Sequence, residues 1–233
     1  MNKPFIIGIT GNLGKTTTKD CVYAVMKDHF FVRRSEKSMN SEFGVPLTIL
    51  GEKSGWNNPF KWVVIIVRGF FVIWQKEYPT HLVLEIGADR PNDIKSIASW
   101  ISPDITIVTQ FGQVPVHIEF FKDRDEIITE KGYLVEALKD GGVFIYNADD
   151  HDAEKLFGRT MCRKTSFGIH ENADIRAEGV RLYGSPLSGT EAEVLSNGER
   201  HHLVLPEVAG KSPVYCALPA LLVARELSIP LPI

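Results

Sequence analysis

The chain has 233 residues, 44% of them hydrophobic and 24% charged, with a formal net charge of −3. That length and composition suit a globular chain with a substantial core, one large domain or two small ones, and the slight acidic balance excludes a nucleic-acid binder that works through a basic surface. Three cysteines (Cys21, Cys162 and Cys216) are odd in number, far apart and without metal-ligand spacing. They read as reduced thiols of a cytoplasmic protein, not as a disulfide framework or a zinc site.

The chain runs directly into Phe5-Ile6-Ile7-Gly8-Ile9-Thr10, a short apolar run with β-branched residues, so a strand is expected at once and no signal peptide before it. Glycines then recur three apart at Gly8, Gly11 and Gly14, and Lys15-Thr16-Thr17-Thr18 opens a predicted helix over 16–29. Strand, glycine loop and helix in that order form a phosphate loop. Gly11, Asn12 and Gly14 let backbone N–H groups close on an anion, Lys15 reaches the outer phosphates, and the Thr16 hydroxyl is placed to ligate magnesium with Thr17 beside it. The strict pattern has glycine six residues before the lysine. Ile9 stands there, so the loop is a variant.

Phe30-Phe31-Val32 predicts a second strand, and the polar start and Gly44-Val45-Pro46 break of residues 37–50 predict a loop leading into a short helix. Residues 62–74 are apolar except for Arg68 and Gly69 at their middle. A membrane span needs about 20 apolar residues, so this stretch is too short to cross a bilayer. The expectation over 59–77 is a largely buried helix, with a membrane-surface helix carrying tryptophans at its ends as the alternative.

His81 to Ala88 reads as a strand with Glu85 near its carboxyl end. Ligands of parallel sheets gather outside that end, which places Glu85 to touch a metal held by the phosphate loop; a solvated strand-end carboxylate is the alternative. A helix over 93–101, a strand over 105–109 and a loop over 110–116 follow, with His117 just beyond, a candidate for the same edge or a structural histidine. A helix over 123–139 carries Lys131-Gly132, and a strand over 142–146 ends in Asn147-Ala148-Asp149-Asp150. Alternating strands and helices predict an α/β fold, a mainly parallel sheet with helices on both faces, over roughly 1–170. Residues 171–206 change texture to short alternating runs with a turn at Ser196-Asn197-Gly198-Glu199, which predicts a small antiparallel region; the remainder, 207–233, carries an Ala/Leu-rich helix over 213–228.

Taken in order, Gly8 to Lys19, Asn40 to Leu50, Leu84-Glu85-Ile86-Gly87-Ala88, His117-Ile118-Glu119, Lys131-Gly132 and Asn147 to Asp150 resemble the central ATP-binding domain of the Mur ligase family, most of all the branch that adds D-alanyl-D-alanine to UDP-N-acetylmuramoyl-tripeptide. The resemblance implies an ATP- and magnesium-dependent ligase of peptidoglycan precursor synthesis that joins a carboxylate to an amine through an acyl phosphate. It implies Lys15 on the β- and γ-phosphates, Thr16 and Glu85 on one magnesium, and His117 on a second. It further implies Lys131 as a carbamate-bearing lysine, Asn40 toward the UDP-MurNAc-peptide and Asn147 toward the nucleotide.

The sequence departs from the family in three places. Gln110 to His117 differs from Asn-Ile-Gly-Pro-Ala-His. Lys211-Ser212-Pro213-Val214-Tyr215-Cys216 stands where Arg-His-Asn-Val-Tyr-Asn is usual. Ser41 replaces a second asparagine. Domains that such ligases carry on either side, one gripping the uridine nucleotide and one closing over ATP, are expected to be missing, to be supplied in cis or by a partner ligase. Without them the isolated chain is expected to be a poor ligase. A folylpolyglutamate-synthase-like ligase and a non-catalytic ATP-binding module are the alternatives. Neither nucleic acid nor stable membrane insertion is expected.

Overall fold

In a computed structural model of the chain, residues 3–36, 39–112, 118–170 and 173–230 are described. Strand β1 (Phe5–Thr10) is followed by helix α1 (Lys15–Met26), β2 (Val32–Arg34), α2 (Gly44–Leu50), α3 (Pro59–Phe71), β3 (His81–Glu85), α4 (Asp93–Ala98), β4 (Ile105–Val108) and α5 (Arg124–Glu136). Then come β5 (Val143–Asn147), α6 (His151–Glu154), β6 (Arg163–Gly168), β7 (Ile175–Tyr183), β8 (Gly189–Ser196), β9 (Glu199–Pro206) and α7 (Lys211–Glu226). The predicted second strand lies two residues later than its aromatic start suggested.

The strands form one sheet in the order β2-β3-β1-β4-β5-β6-β7-β8-β9, parallel through β7 and antiparallel from there. The antiparallel region is therefore an extension of the parallel sheet, joined through the β6–β7 pair. Its hairpin turn falls where the sequence predicted it, with φ of 52° at Asn197 and 83° at Gly198, the left-handed pair that a two-residue hairpin turn demands.

Side chains alternate across the central strands and both faces are covered. Ile7 and Ile9 of β1 join Ile105 and Ile107 of β4 under α1 and α7, where Val22, Leu218 and Leu222 complete the layer. On the opposite face Leu82 and Leu84 of β3 meet Ile94 and Ile97 of α4 and Leu134 of α5. The successive order of strands reverses around β1, which lies between β3 and β4. In an open α/β sheet that reversal opens a crevice at the carboxyl ends of the strands.

The expectation of a largely buried helix over 59–77 is not met. α3 spans Pro59–Phe71, with one 3₁₀ turn over Val72–Trp74, and Ile65 is its buried residue. Phe60 is 81% and Phe70 68% exposed. The apolar composition is real, but only one stripe of it meets protein. Among the described residues no helix is long and apolar enough to cross a membrane.

Candidate functional site

β1 ends at Thr10, and the next four residues turn the chain back over the carboxyl edge into α1. Two glycines are required by this path. Gly11 has φ of 135°, and a Cβ there would lie 2.1 Å from Thr109 Oγ1; Gly14 caps α1 with φ of 81°. The loop is tied to the neighbouring strand end. Thr109 Oγ1 donates to the Leu13 carbonyl at 2.6 Å, while Asn12 N and Leu13 N donate to the Gln110 carbonyl at 2.7 and 3.1 Å. The backbone that would cradle an anion is thus preorganised by β4.

Lys15 and Thr16 open α1, where the helix dipole and free N–H groups favour negative charge. Lys15 Nζ donates to the Asn12 carbonyl at 3.2 Å, folding the side chain back over the loop. Burial lowers its pKa from the ordinary value, while Glu85 and Asp89 pull it back up. Thr16 Oγ1 donates to Glu85 Oε2 at 2.9 Å, which joins the first residue pair that sequence reasoning put on magnesium.

Glu85 is 6% exposed, so the reading of it as a solvated strand-end carboxylate fails. Its other oxygen accepts from Asn40 Nδ2 at 3.1 Å, and Lys19 Nζ lies 3.7 Å from Oε2. A hydroxyl and a carboxylate side by side at a phosphate loop are hard oxygen donors that fit magnesium, which takes one or two protein ligands and completes its shell with phosphate and water. Among the described residues no group of three or more His, Cys, Asp or Glu forms a ready metal cage. The fit therefore depends on phosphate oxygens.

Two cavities flank the loop. The larger, about 390 Å³, is lined by Gly14, Thr17, Asn147, Phe167, Tyr215 and Cys216 among others. Asn147 is buried and its Oδ1 accepts from Asp149 N at 3.0 Å, while Tyr215 donates its hydroxyl to Asp149 Oδ2 at 2.6 Å. The smaller, about 100 Å³, is lined by Gly11, Asn12, Lys15, Asn40, Gly87, Ala88, Asp89 and Lys131. Lys131 projects from α5 into this polar space although it is only 3% exposed. Burial, reinforced by the Lys15 charge and opposed by Glu130, brings its pKa down to about 7.

The fold thus brings Gly11, Asn12, Gly14, Lys15, Thr16, Thr17, Asn40, Glu85, Lys131 and Asn147 to one sheet edge, divided between the two cavities and the loop that separates them. His117 lies outside the described residues. Sequence reasoning missed Lys19, Asp89 and Thr109. Lys19 follows the glycine loop at one helical turn from Lys15, the spacing that brings it toward the same strand end, and this was the signal available.

Residues 9–224 match the family model of the Mur ligase middle domain. The UDP-N-acetylmuramoyl-tripeptide--D-alanyl-D-alanine ligase of Bacillus subtilis (strain 168) is 26% identical over 175 residues, covering 75% of this chain and 32% of the relative. The ligase of the same name from Buchnera aphidicola is 25% identical over 229 residues, 98% of this chain and 44% of the relative. Among solved structures, the MurF ligase from Thermotoga maritima in complex with ADP superposes with a TM-score of 0.78 at 24% identity, over 99% of this chain and 47% of that one. The chain spans between about a third and a half of the length of these relatives.

Proposed function

The chain belongs to the Mur ligase family through its middle domain, and from that premise we propose that it supplies the ATP-binding centre of an amide-forming ligase of peptidoglycan precursor synthesis. The substrate proposed is UDP-N-acetylmuramoyl-tripeptide, and the amine donor D-alanyl-D-alanine, the reaction named for the Bacillus and Buchnera relatives. The observation that carries the reading is the joint placement of Lys15, Asn40 and Lys131 around one small polar cavity, with the Thr16–Glu85 pair beside it and a nucleoside-sized cavity across the loop.

In this reading the nucleoside occupies the 390 Å³ cavity against Asn147 and Tyr215, and the triphosphate crosses the Gly11–Gly14 backbone toward Lys15. A carboxylate oxygen of the peptide attacks the γ-phosphorus, the bond to the bridging oxygen breaks, and ADP leaves. The amine then attacks the acyl carbon, and phosphate departs with the bonding electrons as the amine gives up its proton.

No covalent intermediate on the protein is required, so the contribution of these residues is position and charge. Lys15 holds the β- and γ-phosphates. Thr16 and Glu85 would hold magnesium, which would neutralise charge on the transferring phosphoryl group. Asn40 orients Glu85 and faces the peptide substrate. Lys131 with a pKa of about 7 carries free amine near neutrality, the form that adds to carbon dioxide with loss of a proton to give a carbamate. That modification would turn a buried cation into an anion facing the same cavity. His117 is assigned, by resemblance alone, to a second magnesium. The flanking domains proposed to grip the uridine nucleotide and close over ATP complete the active enzyme.

Calorimetric titration with magnesium-ATP tests the core of this reading. Wild type should bind, and Lys15→Ala should lose at least about 100-fold in affinity, the scale of deleting one partner of a desolvated charge pair. Glu85→Ala should leave binding that no longer responds to magnesium. Equal affinity in wild type and Lys15→Ala would sink the phosphate-loop assignment.

A further inference from the structure

The helix α3 is apolar around most of its circumference but meets protein along one stripe only. Its inward stripe, Trp62, Ile65 and Gly69, is narrow, and Gly69 approaches Leu50 of α2 closely enough that a Cβ there would lie at 3.5 Å. The opposite face is apolar as well, and wider. Phe60, Val63, Val67 and Phe70 follow one another at helical spacing and are 81%, 59%, 49% and 68% exposed. Trp56 before the helix is 84% exposed and Trp74 after it 72%, so an exposed indole lies beyond each end of the helix.

The charges are sorted as well. Lys61 and Arg68 are seven residues apart, two turns on one flank of the apolar face. An open groove of about 490 Å³ runs along that flank between α3 and residues 51–58, with Lys53, Lys61 and Arg68 in its wall. Glu52 also lines it and pairs with Arg68 at 3.1 Å, and Lys53 lies 3.8 Å from Glu36. From Lys53 to Lys76 the sequence holds four basic residues and no acidic one, in a chain whose net charge is −3.

We propose that α3 is a membrane-surface helix that lies in the plane of an anionic lipid bilayer, its apolar face in the acyl boundary and its basic flank among the phosphates. A helix of 13 residues is about 20 Å long, too short for a hydrocarbon layer of about 30 Å but well suited to lying within its interface. Terminal tryptophans with one apolar and one wet edge belong at that depth, and Lys61 and Arg68 keep their charges in the headgroup layer while their stems lie on the apolar face. A second protein surface would satisfy the apolar face equally well. Arg68 and Lys53 are engaged by Glu52 and Glu36, whereas Lys61 and Lys76 form no ion pair among the described residues, and their charge selects an anionic surface. The proposal is independent of the ligase reading, since it uses none of the residues at the phosphate-loop edge.

Co-sedimentation of the chain with vesicles of mixed phosphatidylglycerol and phosphatidylcholine tests it, with phosphatidylcholine vesicles as comparison. Wild type should pellet with the anionic vesicles, release with added salt, and show a blue shift of tryptophan emission that Trp56→Phe with Trp74→Phe removes. Ile66→Glu with Phe70→Glu should abolish binding while the far-ultraviolet dichroism stays unchanged, because both positions are exposed. Lys61→Gln and Lys76→Gln, which remove the charge and keep most of the stem, should each weaken binding about fivefold, the equivalent of about 1 kcal/mol per basic residue near an anionic surface. Failure of wild type to bind anionic vesicles overturns the proposal, and concentration-dependent dimerisation in its place assigns the face to a second copy. Binding that the lysine variants leave unchanged overturns the charge argument and with it the choice of an anionic surface.

Discussion

Two regions of this molecule reverse the usual partition between inside and outside, in opposite directions. The phosphate-loop edge buries charge: Lys19, Glu85, Glu130 and Lys131 are each no more than 6% exposed. The α3 face exposes hydrocarbon, with Phe60 and Phe70 largely in solvent. At the edge the cost is met within the chain. Glu85 receives Thr16, Asn40 and Lys19, and Glu130 receives the backbone N–H groups of Asn92, Ile94 and Lys95 at 2.9, 2.6 and 3.2 Å. On α3 the balancing partner has to come from outside the described residues. Buried charge that is paired internally prepares a site, whereas exposed hydrocarbon flanked by charge prepares an interface.

The comparison breaks most sharply if Glu130 is removed. Its carboxylate closes the N-terminus of α4 and also offsets the Lys131 charge. Glu130→Ala leaves three backbone donors without their acceptor and, below pH 7, a buried ammonium without its counter-charge, and there the chain should lose about 3–5 kcal/mol in urea denaturation. A loss under 1 kcal/mol would mean that water reaches this edge freely, and the contrast with α3 would collapse.

Lys131→Met changes the same cluster in the opposite direction. The ammonium pKa falls from 10.5 to about 7 on folding. Between those values the unfolded chain holds a proton that the folded chain has lost, so wild-type stability rises with pH through the window and is lowest below its lower end. Methionine abolishes that slope. The variant should be more stable than wild type below pH 7 by on the order of a few kcal/mol, in buffer free of carbon dioxide, and the gain should vanish toward pH 10. A gain that does not depend on pH would locate the effect in packing instead of charge.

Tyr215→Phe should cost about 1 kcal/mol of thermal stability, the scale of one hydrogen bond to a carboxylate that keeps other donors. Asp149 Oδ2 still accepts from Ile169 N at 2.7 Å once the tyrosine hydroxyl is gone. Burial and the Asp149 carboxylate both raise the Tyr215 pKa, so the cost should be flat with pH across the neutral range. A cost that grows below neutrality would assign the hydrogen-bond energy to another group.

Most of the edge is legible in the sequence, because a phosphate loop depends on residue types at fixed spacing and a strand-end carboxylate depends on its place in a short apolar run. Glu85 was readable for that reason. Lys19 was readable only in its spacing of one helical turn from Lys15, since its burial follows from the face of α1 that turns toward Glu85. β6 is illegible because Arg163-Lys164-Thr165-Ser166 is polar; Ser166 N and Oγ both bond Asp174 Oδ2, at 2.7 and 2.9 Å, and Arg225 donates to Thr165 Oγ1 at 3.0 Å, partners from other parts of the chain that make a polar run tolerable inside the sheet. The exposure of α3 was illegible for a different reason. A helix apolar on nearly every side carries no periodic mark of which side faces inward, so length favoured burial.

The smallest effect is the most discriminating, because it compares neighbours. Ile65 is 6% exposed and Ile66 58% exposed, one step of about 100° apart on α3. Ile65→Ala removes packing against the core and should cost about 2–4 kcal/mol. Ile66→Ser removes side-chain atoms that are mostly in water, so the folded state gives up little that the unfolded state keeps, and the midpoint of urea denaturation should move by no more than about 0.5 kcal/mol of stability. Equal losses at the two positions would mean that protein covers both sides of the helix. An unchanged Ile66→Ser protein, measured without lipid, leaves the outer face as hydrocarbon that folding itself does not use.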